Sequence, residues 1–147
     1  MNPEKISDYL NTYKHMIASR YTDHLQADAA QRGEVFFYIP SSGHEATAVI
    51  ANHLNEHDWL HLHYRDRALA YARGVTYETV FNGLFSRKNS NSEGRRMPAF
   101  PCDRSLNILS TPTLVGSNAL QAAGVAHSIK ESCLLYTSPS PRDPHLS

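Results

Sequence analysis

Cysteine is nearly absent: Cys102 and Cys133 are the whole supply in 147 residues, too few for a disulfide framework or a self-contained zinc site. No apolar run approaches the roughly 18 residues that span a bilayer. Met1 to Arg20 also lacks the apolar heart of a secretory signal, so a cytoplasmic location without a membrane partner is expected. An excess of charge is missing as well. Fourteen basic and fourteen acidic residues cancel, and neither sign is gathered into a block, which removes any general attraction to nucleic acid. An anion site, if present, must be local. Hydrophobic residues make up 41% of the chain, enough at this length for one domain, or part of one, with a real core.

What is present is concentrated between Asp58 and Arg67, where Tyr64 and Arg65 stand side by side. A phenol beside a five-donor guanidinium suits the oxygens of a phosphate or diphosphate. A surface ion pair between Arg65 and Asp66 would use the same residues without function. Nine histidines are unusual. His57, His61 and His63 could together suggest a metal, since His61 and His63 share one face of a strand. Lining of a pocket by His63 is the competing reading. His15, His24, His53 and His127 fall on expected helices, where a solvated or core-edge place is the default.

Along the chain, Asn2-Pro3-Glu4 signals a helix start. Ile6, Tyr9, Leu10, Tyr13, Met16, Ile17, Tyr21 and Leu25 then recur at three- and four-residue steps. They predict a long helix with this stripe in the core and Lys5, Asp8, Lys14 and Asp23 outside. Gly33 is the expected stop, followed by a brief strand or extended run over residues 35–39. Ser41-Ser42-Gly43 precedes a small-residue helix at Glu45 and would either cap it or hold an anion on free amides. Residues 59–64 read as extended, Asp66 as the cap of a helix to Arg73, and Gly74 as its stop. Thr76 caps a further helix running to about Arg87, with Val75 and Val80 as a staple. The polar stretch 88–96 is a loop, either mobile or pinned by a partner. Residues 106–110 suggest a short strand, and 119–130 a helix whose Gly124 implies close backbone packing. Residues 132–147, rich in proline and serine, cannot continue that helix; they resemble translated adapter sequence and are set aside as a non-native, disordered tail.

Several pieces together resemble the α subunit of the thiamine-diphosphate-dependent E1 component of 2-oxo acid dehydrogenase complexes, of pyruvate or branched-chain type. They are Phe37-Tyr38-Ile39-Pro40-Ser41-Ser42-Gly43-His44-Glu45-Ala46, Asp58-Trp59 with His63-Tyr64-Arg65-Asp66, Arg73-Gly74-Val75, Gly94-Arg95-Arg96-Met97-Pro98, and Val115-Gly116-Ser117-Asn118 with Gln121-Ala122-Ala123-Gly124-Val125-Ala126. Agreement of many ordered pieces is more specific than any one of them.

The resemblance implies an α/β fold, mostly helical here with few short strands, with residues 1–131 forming the N-terminal part of a thiamine-diphosphate-binding domain. It implies that Tyr64 and Arg65 contact the cofactor diphosphate, that His63 lines the cofactor pocket, and that Thr113 and Val115 meet the aminopyrimidine ring. Ser117 and Asn118 match positions near a structural potassium ion. The implied activity of the intact parent is oxidative decarboxylation of a 2-oxo acid with acyl transfer to lipoyl groups of E2. The implied partners are an E1 β subunit or fused β-region in an oligomer. Two departures stand out: His44 where many relatives have Gln, and Phe100 where several have His. The family's magnesium-binding segment, expected after Lys130, is not found, so the chain supplies no metal or catalytic residue and is expected to be inactive alone. A half-site and a stand-alone anion- or metal-binding module remain the alternatives.

Overall fold

The computed structural model describes residues 3–99 and 101–130. The expectations for Asn2, Phe100, Cys133 and the tail 132–147 lie outside these residues. Among the described residues four α-helices and one 3₁₀ helix occur, in the order α1 (Pro3–Gln31), the 3₁₀ helix (Glu45–His53), α2 (Arg67–Ala72), α3 (Tyr77–Leu84) and α4 (Asn118–Ile129). Strand pairing among the described residues is limited to two isolated bridges, Leu60 with Ile108 in parallel and Asp103 with Ile108 in antiparallel. The described residues are therefore about half helical with almost no strand, as expected of a mostly helical fragment with few short strands.

Helix α1 starts at its proline and stops where expected. Gly33 adopts φ +70, the Gly33 amide donates to the Ala30 carbonyl, and the Glu34 amide reaches back to Ala29, a left-handed C-terminal cap. The expected inward face is corrected. Tyr9, Leu10, Tyr13 and Tyr21 are each 60% or more exposed, while Thr12, Ser19, Thr22, Asp23, Gln26 and Ala29 are buried. Both sets have helical spacing, and the polar one faces inward because Thr12, Thr22, Asp23 and Gln26 find partners on other elements, although the Ser19 hydroxyl finds none. Asn52 donates to the Thr12 hydroxyl at 2.9 Å. The Thr22 hydroxyl donates to Ala18 O at 2.8 Å, which leaves its oxygen to accept the buried Tyr71 phenol at 2.9 Å. Buried polar groups that are satisfied in this way cost little.

The segment Glu45–His53 is 3₁₀ rather than α-helical, and its cap is His44, not a residue of Ser41-Ser42-Gly43. The Thr47 amide bonds back three residues to His44 O. β-Branched Thr47, Val49 and Ile50 crowd an α turn, and only Ala48 is buried. Helix α2 ends at Gly74, with φ +109, where the Val75 amide reaches Ala70 O. Helix α3 is capped by the Thr76 hydroxyl, which accepts from the Thr79 amide at 3.1 Å. It stops at Leu84 rather than near Arg87, because Ser86 turns the chain at φ +49. The close packing expected at Gly124 is not seen: a Cβ built there meets nothing within 4 Å.

Two small clusters make the core. Leu60, Leu62, Leu69, Ala70, Val75 and Ile108 form one, and Ala29, Val35 and Leu84 form the other. The first lies under the 59–66 segment, so residues 64 and 65 are carried on its packed rim.

Candidate functional site

Tyr64 and Arg65 are the two central residues of a turn that is closed twice over. The Asp66 amide donates to His63 O at 2.9 Å, and the Asp66 carboxylate accepts the His63 amide at 2.8 Å. Leu62 on one side and Arg67 on the other are buried, which fixes both ends of the turn and leaves its two central side chains to project. The acid that sequence offers Arg65 as an ion-pair partner is engaged elsewhere: Asp66 Oδ1 lies 3.5 Å from His44 Nδ1. Arg65 instead donates from Nη1 to Pro40 O and lies with Cζ 5.3 Å from the Tyr64 ring centroid, a cation–π contact.

One open depression gathers Tyr38, Pro40, Tyr64, Arg65, Met97 and Thr113 along its walls. Three of the residues singled out in the sequence thus meet, Tyr64 and Arg65 from the turn and Thr113 from 48 positions further on (113 minus 65). Val115 is exposed, beyond Thr113. Ser117 precedes α4 and donates its hydroxyl to Leu114 O at 2.7 Å, and Asn118 is the first helical residue.

His63 stands beside this depression, its ring 3.9 Å from that of Tyr64 and 5.6 Å from that of His44. Burial lowers its pKa from 6.5, Asp66 opposes this, and His44 and Arg65 reinforce it. The Arg65 amide also points at His63 Nδ1 at 3.3 Å, which requires an unprotonated nitrogen there. Near neutral pH the positive charge of this rim therefore resides on Arg65. The other two histidines go separate ways: His57 lies 3.3 Å from exposed Glu56, and His61 Nε2 meets Gln121 at 2.9 Å. Among the described residues no three His, Cys, Asp or Glu side chains are grouped to hold a metal.

Two features escaped the sequence reading. A second cavity, of about 70 Å³, lies beyond Tyr64 and Met97, walled by Ala70, Val75, Val80 and Pro98. The loop 88–96 that closes it is pinned by its own serines, since Ser90 Oγ accepts the Gly94 amide and Ser92 Oγ the Arg96 amide. The other feature is a buried ion pair between Arg67 and Asp23, the latter having been expected on the outer face of α1. An arginine inside the otherwise apolar run Arg67–Ala72 was its signal.

Residues 13–136 match the family model for the dehydrogenase E1 component. An Arabidopsis thaliana 2-oxoisovalerate dehydrogenase subunit alpha 1, mitochondrial, is 31% identical over 119 residues, 80% of this chain and 25% of the relative. A Caenorhabditis elegans 2-oxoisovalerate dehydrogenase subunit alpha, mitochondrial, is 27% identical over 83% of this chain and 28% of its own length. A Staphylococcus aureus pyruvate dehydrogenase E1 component subunit alpha is 29% identical, with 80% and 30% covered. The chain spans between a quarter and a third of the length of these relatives.

Proposed function

The chain belongs to the dehydrogenase E1 component family, and from that premise we propose that it forms part of the thiamine-diphosphate site of a 2-oxo acid dehydrogenase E1 α chain. Tyr64 and Arg65 face the diphosphate, His63 supports the Tyr64 ring beside it, and Thr113 and Val115 line the aminopyrimidine end. The observation that carries this reading is the convergence of Tyr64, Arg65 and Thr113 on one depression. The residues present fit the group: Arg65 commits Nη1 to Pro40 O and has further N–H donors for an anion. With His63 pushed toward its neutral form, the guanidinium is the cation that phosphate oxygens would meet.

When bound, the cofactor supplies the electron sink for decarboxylating a 2-oxo acid. The residues of this chain bind and orient it; none acts as acid or base in this reading. The acyl group passes to a lipoyl group of E2, and an E1 β subunit or β-region completes the site. Magnesium, in this reading, would be held by residues other than those of this depression. Pyruvate and branched-chain 2-oxo acids both fall within the reading.

Calorimetric titration of thiamine diphosphate with Mg2+ tests it. Binding is expected for the complete E1 protein, and Arg65→Ala is expected to weaken it about tenfold, the loss of one charged hydrogen bond. Unchanged affinity in that variant removes the role of Arg65. Tight binding by the 147 residues alone would favour the stand-alone module instead.

A further inference from the structure

Arg65 is aimed by a single peptide unit, and that unit is gripped from behind. The Pro40 carbonyl accepts Arg65 Nη1, while the amide of the same peptide, Ser41 N–H, donates to both carboxylate oxygens of Asp23 at 3.0 and 2.9 Å. A trans peptide is planar, with its N–H and C=O pointing opposite ways. Holding the amide toward α1 therefore turns the carbonyl toward Arg65. The preceding carbonyl, Ile39 O, is held as well, by Arg67 Nη2 at 3.0 Å. Arg67 joins the pieces: Nη1 pairs with Asp23 and Nη2 also donates to Gln26 Oε1 at 3.0 Å. The Ser42 hydroxyl adds a third hold on Asp23 at 2.8 Å.

We propose that Asp23 and Arg67 are positioning residues for Arg65, acting through the Pro40–Ser41 peptide. The pair is nearly fully buried, with side chains 7% and 5% exposed, and neither lines the depression that Arg65 and Pro40 share. A buried pair replaced by apolar residues often leaves stability unharmed, so stability alone gives little reason for an ion pair at this place; the direction of one surface guanidinium does. The functional meaning of the proposal rests on the assignment of Arg65 to the diphosphate.

The test is guanidinium rotation in the 147-residue chain carrying 15N-labelled arginine, with the Arg65 signal assigned by its loss in Arg65→Lys. Arg67→Lys and Asp23→Glu keep both charges but cannot keep the geometry. Each is expected to speed rotation of Arg65 about tenfold, the loss of roughly one hydrogen bond. Arg73 is the internal control, because its guanidinium is held by the carbonyls of Asn55, Glu56, Asp58 and Leu106, away from the pair. Faster rotation of Arg65 with Arg73 unchanged supports the proposal. Unchanged Arg65 in the folded variants overturns it. So does loosening of Arg65 and Arg73 together, or loss of the fold in both variants, since the pair would then hold the fold and nothing finer. The cofactor titration of Arg65→Ala is independent of this readout: if that affinity is unchanged, the diphosphate role falls while the positioning result stands.

Discussion

Burial pushes His63 toward its neutral form, and the sign of the consequence is fixed. Its folded pKa is lowered from 6.5 chiefly by burial, as is that of His15, where Lys14 adds to burial. At these two histidines the unfolded chain therefore binds more protons below pH 6.5, and their contribution makes stability fall as pH drops from 6.5 through the folded values, then levels off. Urea midpoints between pH 7.5 and 4.5 read this. His63→Gln is expected to flatten the slope in part, and an unchanged slope would remove His63 as a contributor. At this scale Tyr64-Arg65 was legible because the two residues are adjacent. The Asp23–Arg67 pair was not, since its partners are 44 positions apart and only the tertiary contact between α1 and α2 brings them together.

At the scale of the element, local chemistry decided the ends of helices and tertiary partners decided their faces. Thr76 and Gly74 are local signals and act as such. Thr76→Ala is expected to cost about 1 kcal/mol, from loss of the hydroxyl that accepts the Thr79 amide. Gly74→Ala is expected to cost at least as much, since φ is +109, a backbone conformation that a Cβ strains. Thermal melting of both variants checks this, and a stabilised Gly74→Ala would contradict the left-handed turn. By contrast, the face of α1 could not be read from periodicity. Two stripes share the helical repeat, and the polar one is buried because Asn52, Tyr71 and Arg67 meet it. The 3₁₀ geometry of Glu45–His53 had only a weak signature, since its alanines suit both kinds of turn and only β-branched Thr47, Val49 and Ile50 weigh against the α form.

For the molecule as a whole, this arrangement inverts the usual reading of its hydrophobic residues. The apolar stripe of α1 lies outside, and the core joins a few helical residues, Ala29, Leu69, Ala70 and Leu84, to others on short, irregular segments. Leu60 is the clearest of these: it is 2% exposed, sits in the larger cluster, and bonds through its backbone to both Asn107 and Leu109 at 2.9 and 2.8 Å. Leu60→Ala should leave a cavity that this double tie prevents from collapsing, at a cost of about 2–5 kcal/mol. Against a total stability on the order of 5–15 kcal/mol for a domain, that is a large fraction. Leu10, 63% exposed on α1, should behave oppositely, with Leu10→Ser changing stability by no more than about 0.5 kcal/mol. Urea denaturation of the two variants at constant m-value separates the cases. A Leu10→Ser loss as large as that of Leu60→Ala would mean that the apolar stripe of α1, and not its polar face, packs into the core; the burial of Asp23 on that polar face, and with it the aiming of Arg65, would then fall together.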